Sequence, residues 1–141
     1  MAYQEQQIIL ITGAASGLGW ALTQSYVRLG HTVVMADIQS ELLEEQARSL
    51  NTDQVTTVAM DMTQSEDVKR LIDSIESRYG RLDTLINNAG ITHRSLVEKT
   101  HPDVFRKVMA VDYQGPVELA LAALPLLKES KGLIINVSSM A

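Results

Sequence analysis

A glycine-rich loop near the start of the chain has the residue types and spacing that could bind a ligand. A short aliphatic run leads into Gly13, Gly17 and Gly19, and the loop opens directly into a segment with helical periodicity. Glycine lets the chain turn tightly and lets backbone N–H groups approach a phosphate. The first turn of a helix adds unpaired N–H groups and the positive end of its dipole. The loop therefore predicts dinucleotide binding, with a purely structural turn as the alternative.

An acidic residue, Asp37, ends the second predicted strand. A carboxylate at this distance from a glycine loop can accept hydrogen bonds from the ribose hydroxyls of NAD, and it would repel the 2′-phosphate of NADP. The glycine loop contains no Arg or Lys, and Ile38 and Gln39 after Asp37 are uncharged. The pattern therefore favours NAD(H) over NADP(H). Asp37 can alternatively cap the helix predicted to begin near Ser40, and the two roles are compatible.

The spacing of the loop, with three residues between its first two glycines, resembles the classical short-chain dehydrogenase/reductase family. Three further segments match the family in order along the chain. They are Asp61 after the third predicted strand, Asn-Asn-Ala-Gly at 87–90 after the fourth, and Asn-Val-Ser-Ser at 136–139 after the fifth. Each match alone could be a turn or a helix cap. Together they extend the resemblance over residues 7–141.

The resemblance implies a role for each matched position. The residues that it implies in cofactor binding are Gly13, Ser16, Gly17, Leu18, Gly19, Asp37, Ile38, Asp61, Met62, Asn88, Ala89, Gly90 and Val111. Asp61 would meet the adenine amino group, and Ser139 would hydrogen-bond the substrate oxygen. The resemblance also implies that the intact protein exchanges a hydride between NAD(H) and the carbonyl or alcohol carbon of a small molecule. It further implies a homodimer or homotetramer, formed through the long helix predicted at residues 102–129.

The chain departs from the family pattern at Asp112, where the family usually has Asn. In the family this catalytic position holds a water of a proton relay, largely through its backbone carbonyl. Pro116 has no N–H, so the carbonyl of Asp112 loses its helical partner, and we expect a bend there. A break between two shorter helices would give similar local geometry. Asp112 is therefore predicted to keep the water site while adding a negative charge near the reaction centre.

A second departure is the absence of the family's Tyr-x-x-x-Lys motif, since none of the four tyrosines is followed four residues later by lysine. In the family that tyrosine is the general acid and base, and the lysine lowers its pKa, which is near 10 when unperturbed. We therefore expect the Tyr and Lys to lie beyond Ala141. The alternatives are a short NAD-binding sensor or interaction module, which has little need of Ser139, and a truncated product without activity.

The elements that must position these residues are short apolar runs alternating with helical segments. Strands are predicted at residues 8–11, 32–36, 55–59, 82–86 and 133–137, and helices at about 17–29, 39–50, 65–79 and 102–129. Continuous apolar runs are typical of strands covered on both faces, and this alternation implies parallel strands with right-handed crossovers. We predict one Rossmann-like α/β domain over residues 1–141, a doubly wound sheet of order 3-2-1-4-5 that is truncated after the fifth strand.

Composition excludes several other classes of function. The net charge of −5 argues against a basic face for nucleic acid or anionic lipid. The chain has no cysteine, which excludes disulfides and thiolate metal sites, and its three histidines are not clustered, so no metal is expected. No segment resembles a signal peptide or approaches the roughly 20 apolar residues of a membrane span. The sequence predicts a soluble, cytoplasmic protein.

Overall fold

A computed structural model describes residues 5–139. The strands are β1 (Ile8–Thr12), β2 (Thr32–Asp37), β3 (Val55–Ala59), β4 (Thr84–Asn87) and β5 (Leu133–Asn136). The α-helices are α1 (Gly17–Arg28), α2 (Ser40–Ser49), α3 (Ser65–Tyr79), α4 (Pro102–Met109) and α5 (Gly115–Ser130), with a short 3-10 turn at Val97–Lys99. The two ends of the predicted domain, residues 1–4 and 140–141, lie outside the described residues.

The strands form one parallel sheet in the order β3-β2-β1-β4-β5, so the predicted doubly wound topology is confirmed. In the middle of the sheet, Leu10 of β1 pairs with Val34 of β2 on one side and with Leu85 of β4 on the other. Every residue of β2 and β4 is buried. The apolar runs of the sequence are continuous because both faces of these strands are covered by helices.

Successive side chains of β1 enter two different hydrophobic layers. Leu10 packs in the layer that includes α3 and α5, together with Leu71 and Leu119. Ile9 and Ile11 pack in the opposite layer, which includes residues of α1 and α2. This follows from the two-residue period of a strand, which sends neighbouring side chains to opposite faces. The sheet therefore lies between two hydrophobic cores.

The strand β4 begins two residues later than predicted, at Thr84. The buried Asp83 before it accepts a hydrogen bond from the Ile8 N–H at 2.8 Å and another from the Arg81 guanidinium at 2.6 Å. The hydrogen bond that Arg81 donates to Asp83 raises the pKa of Arg81 above its ordinary value. Asp83 thus ties the start of β4 to the start of β1, at the sheet edge opposite the predicted site.

The helix predicted at residues 102–129 is one helical run with a change of winding inside it. A π-helical turn, Ala110–Gln114, joins α4 to α5, and the Gly115 N–H donates to the Ala110 carbonyl five residues earlier. The run is therefore not broken at Pro116; the wider turn lies where the sequence predicts a bend, since π turns are a recognised cause of helix kinks. The free carbonyl at Asp112 stays a prediction.

Within residues 5–139, none of the helices has the length and apolar character that crossing a membrane requires.

Candidate dinucleotide-binding site

A cleft of about 550 Å³ lies at the carboxyl ends of β1 to β4, the edge at which open α/β sheets bind ligands. The predicted cofactor residues that line it are Gly13, Ser16, Asp37, Ile38, Asp61, Met62, Asn88, Ala89, Gly90 and Val111. Gly17, Leu18 and Gly19 do not line the cleft. The sheet thus brings together segments that are up to about a hundred residues apart in the sequence, as the ends of parallel strands meet at one edge.

The glycine loop has a shape that its glycines make possible. A Cβ on Gly19 would lie 2.1 Å from the Gly13 carbonyl oxygen, so no larger residue fits there. Gly17 has φ +54°, a left-handed conformation that glycine adopts without strain. The N-cap residue of α1, Ser16, makes no side-chain cap hydrogen bond, and the first turn contains no acidic residue. The first N–H groups of this helix are therefore suited to an anion.

Asn88 and Ala89 anchor the loop to the end of β4. The Thr12 hydroxyl accepts from the Asn88 and Ala89 N–H groups, each at 3.0 Å, and donates to the Ile86 carbonyl at 3.4 Å. The Asn88 amide donates to the Thr12 carbonyl at 3.0 Å and to the Gly13 carbonyl at 3.3 Å. Through these bonds Asn88 holds the glycine loop against the segment after β4.

Asp37 is buried, with 7% of its surface exposed, and both of its oxygens accept backbone hydrogen bonds. Oδ2 accepts from the Ala15 N–H at 3.0 Å, and Oδ1 accepts from the Gln39 N–H at 2.9 Å. Gln39 is itself the N-cap of α2, so Asp37 contacts the residue before the helix and not its first turn. A carboxylate offers about four acceptor positions, so each oxygen keeps capacity for a ligand hydroxyl.

Asp61 lies two residues beyond β3, at the far end of the cleft from the β4 segment. Its Oδ1 accepts from the Thr63 N–H at 2.9 Å and from the Thr63 hydroxyl at 2.7 Å. The neighbouring Met62 is buried and lines the cleft. Gly115 packs directly beneath it, since a Cβ on Gly115 would lie 2.7 Å from the Met62 carbonyl oxygen.

Asp112 does not line the cleft, but it holds a segment that does. Its Oδ1 accepts from the Ile91 N–H at 2.8 Å, and a Cβ on Gly90 would lie 3.4 Å from the same oxygen. Gly90 and Ile91 both line the cleft. The sequence predicted a role for the backbone carbonyl of Asp112, whereas the structure adds a role for the side chain in fixing the segment after β4.

Ser139 is exposed and lies three residues beyond β5, outside the cleft lining. The strand that leads to it is fixed by the pairing of Asn87 with Asn136, in which the Asn87 amide donates to Asn136 Oδ1 at 2.9 Å. The Val137 N–H also donates to the Asn87 carbonyl at 2.9 Å. Since β4 and β5 are parallel, Ser139 follows the same edge of the sheet as the Asn88 segment.

Lys107 lines the cleft and is not among the predicted positions. It lies on α4, four residues before Val111, and residues four apart share one face of a helix. That spacing is the signal that could have identified it. Other lining residues outside the predicted set are Thr12, Ala36, Gln39, Met60, Thr63 and Ile91. Each of these residues is adjacent in the sequence to a predicted position.

The residues present fit a dinucleotide. The cleft combines Gly13 and Ser16 of the glycine loop, the buried carboxylate of Asp37 at the end of β2, and the half-buried Asn88 and Ala89 after β4. In the part of the chain that the structure describes, no three His, Asp or Glu side chains are grouped so that they could hold a metal ion.

Comparison with known proteins identifies the family. The sequence model described as short chain dehydrogenase matches residues 7–141. 11-beta-hydroxysteroid dehydrogenase A of Sesamum indicum is 35% identical over 137 residues, which cover 94% of this chain and 39% of that protein. The chain therefore belongs to the short-chain dehydrogenase family, and the predicted resemblance is confirmed.

Solved structures agree with the fold. A short-chain dehydrogenase from Streptomyces avermitilis has a TM-score of 0.88 at 31% identity, covering 96% of this chain and 50% of that one. L-sorbose reductase of Gluconobacter frateurii, solved with NADPH and L-sorbose, has a TM-score of 0.90 at 28% identity, covering 96% and 53%. The chain thus spans about half the length of these structures, and less of the plant enzyme. All three relatives are named as dehydrogenases or reductases, which confirms the predicted enzyme class for intact members.

Proposed function

We propose that this chain is the cofactor-binding part of an oxidoreductase that exchanges a hydride between NAD(H) and the carbonyl or alcohol carbon of a small molecule. The observation that carries the proposal is the convergence of the glycine loop, Asp37 and Asn88 on one cleft at the carboxyl edge of the sheet. When bound, the nicotinamide supplies or accepts the hydride. The chain's own residues bind and orient the two reactants.

The choice of NAD(H) over NADP(H) rests on Asp37. Its carboxylate is buried at the end of β2 and would face an added phosphate with a fixed negative charge. Ile38 and Gln39 beside it carry no compensating charge, and Lys107, the cation lining the cleft, belongs to α4 and not to the end of β2. L-sorbose reductase was solved with NADPH, so the family fold alone does not select the cofactor.

Ser139 is proposed to hydrogen-bond the oxygen of the substrate, and Asp112 to preserve a water site while adding negative charge. The strand pairing of Asn87 with Asn136 supports the first role, since it places the residues after β5 beside those after β4. The bond from Ile91 to Asp112 supports the second, since it keeps the carboxylate next to a segment that lines the cleft. The general acid and base is proposed to come from the Tyr and Lys of the family motif.

A titration of the chain with NADH and with NADPH, followed by the fluorescence of the reduced nicotinamide, tests the proposal. We expect NADH to bind at least about tenfold more tightly, a difference of roughly 1.4 kcal/mol. NADPH binding as tightly as NADH would contradict the role of Asp37. If neither dinucleotide bound, the cleft would not be a cofactor site.

We further propose that an apolar stripe on the α4–α5 run pairs with the same stripe of a second copy. The stripe consists of exposed side chains four residues apart: Phe105, Met109, Tyr113, Val117 and Leu121. At 3.6 residues per turn such a row drifts around a helix, and the wider π turn in its middle takes up part of that drift. A continuous exposed apolar face of this kind marks an interaction surface. Pairing with the same face of a second copy would bury both faces around a twofold axis.

A further inference from the structure

At Ala15 the glycine loop makes two hydrogen bonds to residues of the second βα unit. The Ala15 N–H donates to Asp37 Oδ2 at 3.0 Å, and its carbonyl accepts from the Gln46 side-chain amide at 3.2 Å. Ala15 is fully buried, whereas Gln46 is a half-buried residue of α2. Neither residue lines the cleft. The second βα unit, β2 and α2, therefore bonds both the N–H and the carbonyl of this one loop residue.

We propose that Gln46 is a positioning residue for the dinucleotide phosphates, an inference that rests on the proposed function. The Ala15 carbonyl and the Ser16 N–H belong to one planar peptide group, and in a trans peptide they point in opposite directions. By holding the carbonyl, Gln46 fixes the direction of the Ser16 N–H. Ser16 lines the cleft, and its N–H would therefore be one of the groups available to a bound phosphate.

The loop needs hydrogen bonds from other segments because its own residues restrict its conformation only weakly. Gly13 and Gly17 have positive φ and a wide choice of conformations, so an unrestrained loop would lose much entropy when it binds phosphate. Asp37 fixes the peptide before Ala15 and Gln46 fixes the peptide after it. The N–H groups of the loop then have their binding orientation before the ligand arrives, so less entropy is lost on binding.

The primary test is the backbone motion of the cofactor-free chain, measured by ¹⁵N relaxation. We expect the order parameter of the Ser16 N–H to be near the rigid value of roughly 0.85 and to fall toward roughly 0.6 in Gln46→Leu. Gln46→Glu keeps the shape without a donor and should have the same effect. Gln46→Lys restores a donor and should restore rigidity. An unchanged order parameter in Gln46→Leu would overturn the proposal.

The consequence for binding is tested by NADH titration of the same variants. Loss of one hydrogen bond predicts about threefold to tenfold weaker binding for Gln46→Leu. Glu45→Leu, at the exposed neighbouring position of α2, is the matched control and should change neither affinity nor Ser16 motion. Equal NADH affinity in Gln46→Leu and the parent would also overturn the positioning role. If the parent chain failed to bind NADH, the proposed function would fail, while the relaxation data would still decide whether Gln46 holds the loop.

Discussion

Asn88 hydrogen-bonds Thr12 twice, through its backbone N–H to the Thr12 hydroxyl and through its side-chain amide to the Thr12 carbonyl, each at 3.0 Å. The two residues are 76 positions apart in the sequence and meet because β1 and β4 are neighbours in the sheet. These two hydrogen bonds join the glycine loop to the segment after β4. Both residues line the cleft, so its shape depends on this contact.

Thr12→Val should destabilise the fold, because valine has the shape of threonine but leaves the Asn88 and Ala89 N–H groups without their acceptor. We expect a loss of about 1–3 kcal/mol for each N–H left unpaired away from water, less where water reaches the site. Urea unfolding measures the change. Thr12→Ser keeps the hydroxyl and is the control; if serine and valine lowered the midpoint equally, the hydroxyl would not be the cause.

Gly19→Ala and Gly17→Ala should differ sharply although both alter the same loop. At Gly19 the added Cβ would lie 2.1 Å from a backbone carbonyl oxygen, so the loop must move and NADH binding should be lost. At Gly17 the Cβ meets nothing within 4 Å, and the cost is the left-handed conformation alone, about 1–2 kcal/mol. Fluorescence titration and thermal unfolding distinguish the two. Comparable NADH affinity in both variants would refute the steric argument.

Asp37→Asn should narrow the preference for NADH. The asparagine amide has one oxygen, so it can accept from only one of the Ala15 and Gln39 N–H groups, and its NH2 group faces the other. The substitution also removes the negative charge. Loss of a charged hydrogen bond predicts roughly tenfold to hundredfold weaker NADH binding, with a smaller change for NADPH. Asp53→Asn, at an exposed position between α2 and β3, serves as the control. A parallel loss for both cofactors would show that Asp37 only supports the loop.

Asp112→Asn and Asp112→Ala separate the charge of this side chain from its hydrogen bond. Asparagine retains an oxygen for the Ile91 N–H, so stability should be almost unchanged. Alanine removes the acceptor and should cost about 0.5–1.5 kcal/mol, since the site is exposed. In an active form of the protein, Asp112→Asn should not raise turnover by a large factor; a large gain would contradict the proposed use of the charge.

Leu121→Glu should dissociate an oligomer formed through the apolar stripe. Leu121 is 65% exposed, so the change leaves the monomer's core intact while placing a charge in the proposed interface. Sedimentation velocity should show a shift toward the monomer. Lys128→Glu, at an exposed position of α5 off the stripe, is the control. A parent chain that sediments as a monomer at all concentrations would contradict the proposed pairing.

Much of the fold could be predicted because local patterns and global topology agree. The apolar runs at residues 8–11 and 32–36 are continuous because both faces of the central strands are buried. Gly80 ends α3 in the left-handed conformation that is typical of glycine after a helix. The late start of β4 was not predicted, since the bond that holds Asp83 before the strand comes from Ile8, 75 residues earlier in the sequence. The π turn was not predicted either. Its N–H groups bond carbonyls five residues back and not four, and the apolar pattern of the sequence does not distinguish the two.

The sequence by itself determined the family, the glycine loop, the acid at Asp37 and the absence of a Tyr-x-x-x-Lys motif. These are statements about residue types at fixed spacing, which local geometry makes meaningful. Only the tertiary structure decided that Asp112 holds the Ile91 N–H, that Lys107 lines the cleft and that Gln46 bonds Ala15. In the two hydrogen bonds, a side chain meets a backbone group 21 or 31 residues away in the sequence. The packing of the fold selects that partner, and residue types at fixed spacing do not encode it.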